Sequence, residues 1–139
     1  MSAAPLALAP TLFAVFVGAG AGACLRFALG EMLVRAQPLL PQVPLGTLAA
    51  NLIGGYLVGV VIAVLAWHSE LSMLWRLALV TGFLGGLTTF STFSAEVVAA
   101  IARGAWGWAA AIAAAHLAGS LLLTAAGLLT VKLLGRALG

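Results

Sequence analysis

GGLTTFSTFS, residues 85–94, lies in the middle of the third of four long apolar runs. Ten positions hold two glycines, five hydroxyl residues and two phenylalanines, where a bilayer-spanning helix ordinarily carries Leu, Ile, Val and Ala. An unbroken helix over the 27 steps from Arg76 to Arg103 would span roughly 40 Å at about 1.5 Å per residue, beyond a hydrocarbon core of about 30 Å. The third helix therefore has length to spare for a break at its centre. Gly85 and Gly86 tolerate unusual dihedrals, and the hydroxyls of Thr88 and Thr89 offer partners to backbone groups freed there. Non-helical backbone at membrane depth persists only inside protein or beside water. The break is accordingly expected at a buried interface, with carbonyls free to bind a cation.

The surrounding composition makes lipid the solvent. Of 139 residues, 64% are hydrophobic and 6% charged, and the mean hydropathy is +1.22, far outside the range of a water-soluble domain. No charged residue interrupts residues 36–67, 77–95 or 104–131, and residues 11–30 contain only Arg26. Each run reaches the ~20 residues a span requires. The expected fold is an all-α membrane protein in which residues 1–139 form a single four-helix subunit. Nothing before Arg26 is basic, so the first run lacks the charged leader of a secretory signal and is expected to remain. Cys24 is the only cysteine, which excludes an internal disulfide and a multi-cysteine metal site. Six basic residues give a net charge of +3, but they are scattered and form no nucleic-acid patch.

Helix 1 is expected from about Thr11 to Arg35, ended by the three prolines between Gln37 and Pro44. Helix 2 takes Leu45 to about Trp67, and His68, Ser69, Glu70 and Ser72 make a polar turn. Helix 3 runs from Met73 to near Arg103, and helix 4 from about Trp106 to Leu134. Trp67, Trp75, Trp106 and Trp108 fall near helix ends, as interfacial aromatics do. Four spans put both termini on one side. Arg76, Lys132 and Arg136 lie on that side, against Arg35, Arg103 and, toward that end, Arg26 on the other. The positive-inside rule gives almost no orientation, which predicts a dual-topology subunit pairing head to tail. No internal repeat is visible, so an inverted architecture must come from dimerisation. The pairs Gly18/Gly22, Gly55/Gly59 and Gly82/Gly86 allow close helix approach, within a subunit or between subunits.

Polar groups in hydrocarbon are costly unless paired or beside a wet path. Thr47 and Asn51 share a face of helix 2, and His116, Ser120 and Thr124 form a stripe on helix 4. Hydroxyls of this kind often bond back to their own helix, but the two donors of Asn51 have no such local outlet. The stripe and Asn51 are candidates to line one route. Phe90 and Phe93 share a face of the helix that resumes after the break. They suit ordinary packing; alternatively, their positive ring edges suit weak coordination of a passing anion. Composition does not choose between these.

GFLGGLTTFSTFSAE, residues 82–96, resembles the third-helix signature of the Fluc (CrcB) fluoride channels, and GTLAANLIGGYLVG, residues 46–59, resembles their second-helix motif. GAGAGACLRFALG, residues 18–30, looks like their first helix with its arginine. The resemblance runs in order over nearly the whole chain. It implies passive, selective fluoride export across the inner plasma membrane by an antiparallel dual-topology homodimer with two pores. It further implies that Phe90 and Phe93 are the pore phenylalanines, Asn51 a pore-lining donor, Ser120 and Thr124 a polar track, and Arg26 the arginine of an aqueous vestibule. A structural sodium ion is implied at the dimer centre, held by the carbonyls of Gly85 and Thr88 from both subunits. His116 departs from the family, which carries a small or hydroxyl residue there. It joins the candidate pore set either as packing or as a source of proton-sensitive conduction.

Two other functions suit a short four-helix membrane chain. A proton-coupled small multidrug transporter needs a carboxylate deep in the membrane, whereas Glu31 and Glu96 fall late in their helices. An accessory subunit without conduction would use the polar stripes only as helix glue. The sequence clusters no nucleophile, base or metal set, and His68 and His116 are far apart, which argues against an enzyme.

Overall fold

The computed structural model describes residues 7–34, 42–68 and 70–138, and all of its regular elements among these residues are helical. They are α1 (Leu8–Leu33), α2 (Leu45–Trp67), α3 (Met73–Arg76), a π-helical stretch (Leu77–Leu84), α4 (Gly85–Leu87), α5 (Phe90–Ala102) and α6 (Trp106–Leu138). Four stretches are long and apolar enough to cross a membrane: Leu8–Leu33, Leu45–Trp67, Met73–Ala102 and Trp106–Ala137. The third is thus built from four helical pieces. Arg35 and most of the proline stretch lie outside the described residues, as does Ser69.

The first helix begins at Leu8, earlier than Thr11, because Pro10 falls in the first turn, where no amide is needed. The Thr11 hydroxyl returns to the Ala7 carbonyl at 3.0 Å. The fourth helix continues past Leu134 and takes Lys132 and Arg136 into its final turns.

The break in the third span falls at Thr88 (φ −86°, ψ 154°) and Thr89 (φ −147°, ψ 122°), both extended. Gly85 and Gly86 are helical. β-Branched threonines are comfortable in extended backbone, so the glycines are left for another use. A Cβ on Gly86 would run into the Ala19 carbonyl, and one on Gly22 into that of Phe83. Gly18 and Gly82 meet the same two elements. On the other side of the fold, Gly55 and Gly59 bring α2 against the Ser120 and Thr124 carbonyls of α6. All three small-residue pairs are therefore engaged in packing within one chain.

The break lets the two halves of the third span take different neighbours. The π-helical stretch and α4 pack on α1, whereas α5 packs on α6, which also lies along α2. Phe93 and Ala100 of α5 join Ala109 and Ile112 of α6 in a buried cluster. The α5–α6 turn is closed by Gly104 N–H to Ile101 C=O (2.8 Å) and Ala105 N–H to Ala100 C=O (2.9 Å). This paired closure needs positive φ at Gly104, observed at 73°. At the opposite end, the Arg76 guanidinium donates to the carbonyls of Leu65, His68 and Leu71, closing the C-terminus of α2 with the charge its dipole favours.

Candidate functional site

The broken backbone is rebuilt by side chains. Thr89 N–H donates to Asn51 Oδ1 at 2.8 Å, and Thr89 C=O accepts from Asn51 Nδ2 at 3.0 Å. The Thr89 hydroxyl caps α5 by accepting from Thr92 N–H at 3.2 Å, and the Thr88 hydroxyl returns to the Leu84 carbonyl at 3.0 Å. In a continuous helix the Thr89 amide would serve the Gly85 carbonyl, and the Thr92 amide that of Thr88. Both amides have gone to side chains. The two carbonyls expected to hold a cation thus lose their helical donors, and oxygen is the donor type a hard cation takes. Gly85 is exposed on the surface of the chain, as are Ser91 and Thr92. No cluster of His, Cys, Asp or Glu suited to a metal occurs among the described residues.

Two cavities flank Thr89. The first, about 340 Å³, is bordered by Asn51, Thr88, Phe90, Phe93, His116 and Ser120 among others. Phe90 and Phe93 meet edge to face, with ring centroids 5.4 Å apart at 63°. Phe93 is 7% exposed and Phe90 is 74% exposed. Phe93 also stacks on the His116 imidazole, at 4.8 Å and 29°. His116 is 4% exposed; its Nδ1 lies 3.0 Å from Asn51 Nδ2, and its Nε2 is buried without a partner. An unsatisfied buried donor of this kind costs about 1–3 kcal/mol. Asn51 therefore spends both amide hydrogens inside the protein. Thr124 does not border this cavity: its hydroxyl is within 2.9 Å of the carbonyls of Gly55 and Ser120.

The second cavity, about 540 Å³, collects Arg26, Glu31, Thr47, Thr89, Thr92 and Glu96. Arg26 Nε donates to the Gly86 carbonyl at 3.2 Å, which ties the first helix to the last turn before the break. The Thr47 hydroxyl donates to Glu96 Oε1 at 2.5 Å, while Glu96 Oε2 is buried without a partner. A cationic guanidinium beside two carboxyl side chains makes this a polar recess.

The sequence-predicted residues thus divide among three places. Asn51, Phe90, Phe93, His116 and Ser120 share one cavity, Arg26 lies in the other, Thr88 sits at the break and also reaches the first cavity, and Gly85 lies in the helical turn before the break. The Thr47–Glu96 bond and the Arg26–Gly86 bond went unread. Nothing in local spacing signals either, because each joins residues at least 49 positions apart.

Comparison with known proteins bears on the same stretches. The family model described as "CrcB-like protein, Camphor Resistance (CrcB)" matches residues 13–128. A curated protein of Burkholderia pseudomallei named "Fluoride-specific ion channel FluC" is 52% identical over 122 residues, covering 88% of this chain and 93% of that protein. A Burkholderia ambifaria protein of the same name is 53% identical over the same coverage. The matched residues contain the second and third spans, most of the first and fourth, the break and both cavities, and the chain belongs to the CrcB family.

Proposed function

We propose that this multi-pass membrane protein is a subunit of a fluoride-selective channel that lets fluoride leave the cell passively. The observation that carries the reading is the cavity in which Phe90 and Phe93, edge to face, meet Asn51, His116 and Ser120. It offers a small anion aromatic edges and polar hydrogens, and no fixed full cation among its bordering residues. Such ligands replace part of the hydration shell without holding the ion too tightly to leave. Arg26, in the larger polar cavity beside Glu31 and Glu96, offers an anion its cationic guanidinium. Relatives named for fluoride channels support the same reading, and the family is one of channels rather than enzymes.

The working unit in this proposal is an antiparallel dual-topology homodimer with two pores. Its support is the exposed ground on either side of the break: Gly85, Ser91 and Thr92, in the helical turns that flank Thr88 and Thr89, would meet lipid in a lone chain, where polar groups are costly. A second copy covers them and brings two sets of freed Gly85 and Thr88 carbonyls together. A sodium ion fits such an all-oxygen set. When bound, it supplies positive charge and ties the two broken helices together. Phe90, Phe93, Ser120, Thr124 and Asn51 keep the pathway roles that the resemblance implies, directly or through a neighbour.

The alternative, a proton-coupled transporter, would draw on Glu96 and its unpartnered oxygen. Purified protein in liposomes separates the two. Rapid fluoride efflux, negligible chloride efflux and insensitivity to an imposed proton gradient support the channel. Equal efflux of both anions, no fluoride efflux, or Glu96-dependent uptake of a lipophilic cation overturns it.

A further inference from the structure

The directions of the hydrogen bonds around the break fix where the proton sits on His116. A backbone N–H only donates and a carbonyl only accepts, so the two Thr89 bonds assign the Asn51 amide without ambiguity: Oδ1 to the N–H, Nδ2 to the C=O. The remaining Nδ2 hydrogen reaches His116 Nδ1 at 3.0 Å. An amide nitrogen only donates, so Nδ1 accepts, and a neutral imidazole then carries its proton on Nε2. Phe93 stacked on one ring face restrains the ring plane, and Asn51 sets the rotation within it. What remains is one buried N–H with no acceptor, on a ring bordering the cavity of Phe90 and Phe93.

Apart from the Ser120 hydroxyl, which borders the same cavity, the polar groups nearby are already engaged. The Thr88 hydroxyl donates to Leu84 C=O, the Thr124 hydroxyl is taken by carbonyls of Gly55 and Ser120, and both Asn51 hydrogens are used. We infer that the Nε2–H of His116 is a hydrogen-bond donor to the anion in this chain's pathway, with Asn51 the residue that positions it. The inference rests on the fluoride-channel reading. The ligand class is a small, hard anion that accepts strongly, fluoride before chloride. His116 here does the work of a ligand, whereas Asn51 relays the backbone geometry of the break to the ligand's proton.

Full-length protein labelled with 15N-histidine and reconstituted in lipid bilayers tests this, with His116→Gln used to assign the resonance against that of His68. The expected result is a neutral ring protonated on Nε2, with an Nε2–H signal that moves on adding sodium fluoride and stays put with sodium chloride. A proton on Nδ1, or indifference to fluoride, overturns the inference. Flux gives an independent ranking. His116→Gln retains a donor and should keep more flux than His116→Leu, which should lose at least about tenfold, the worth of a hydrogen bond to a charged group. A packing residue would rank the reverse, the apolar leucine being tolerated better. If wild-type protein passes no fluoride, the channel reading itself fails; if it does and the ranking or the proton position is reversed, only the role of His116 falls.

Discussion

Asn51 and Thr89, 38 residues apart, exchange two hydrogen bonds: the backbone N–H of Thr89 donates to Oδ1 at 2.8 Å, and Nδ2 donates to the backbone carbonyl of Thr89 at 3.0 Å. One side chain of α2 thus stands in for a strand partner at the point where the third span leaves the helix.

Asn51→Leu removes that stand-in. Each of the two Thr89 backbone groups then loses a partner at a cost of about 1–3 kcal/mol. The expected outcome is a lower unfolding temperature in detergent together with lost fluoride flux. Unchanged stability would show that water replaces the side chain.

Phe90→Ile and Phe93→Ile should separate pathway from fold. Phe90 is 74% exposed in the chain and Phe93 7%. Replacing Phe90 is expected to leave thermal stability of the single chain within about 0.5 kcal/mol while abolishing fluoride efflux. Replacing Phe93 should cost both, because it fills the α5–α6 core and covers His116. Normal fluoride efflux from Phe90→Ile would contradict its pathway role.

Sodium withdrawal tests the freed carbonyls. Liposomes prepared with N-methylglucamine on both sides, sodium rigorously absent, are expected to lose fluoride flux and recover it when sodium returns. Full flux without sodium would reject the structural ion.

Gly59→Ala puts a methyl group onto the Thr124 carbonyl and against the Leu128 amide. Backbone atoms have no rotamer by which to yield. The expected penalty is about 1–3 kcal/mol, read as reduced yield of folded protein. Gly20→Ala, where an added Cβ meets nothing, serves as the neutral control.

Glu70 supplies a pH test outside the spans. Hydrogen bonds from its own backbone amide and from His68, 3.2 Å away, hold its carboxyl below the ordinary carboxylate range. A carboxyl depressed in the folded state contributes stability above its unfolded pKa, and that contribution disappears as pH falls through the folded value. The side chain is exposed, so the effect is small. Melting temperatures of wild type and Glu70→Gln should differ slightly near pH 7 and converge as the pH falls through the depressed folded value.

The number and rough limits of the spans were legible from apolar run length, and the break from excess length together with crowding of hydroxyl residues. Those signals are local. Its position moved from the glycines to Thr88 and Thr89 because dihedral permissiveness is only one use of glycine. Here the demand from α1 for close approach was stronger, and it is a tertiary fact. The convergence of Asn51, His116 and the phenylalanines was legible as separate polar faces. The commitment of Asn51 to Thr89 was not, because hydrogen-bond direction depends on which backbone group the fold places opposite.

The π-helical stretch over Leu77–Leu84 was invisible for a different reason: its residues are ordinary apolar ones, and only the hydrogen bonding differs, as where Gly85 N–H reaches back five residues to Val80 C=O. It puts the third span in two reading frames. Winding the same residues as a regular α-helix would turn everything from Gly85 onward by about 100° relative to Met73. Gly86 would swing away from Ala19, and Thr89 would no longer face Asn51. A helical wheel drawn through the whole span in one frame misassigns one end or the other. A labelling scan along it should show its protected face jump in phase across Val80.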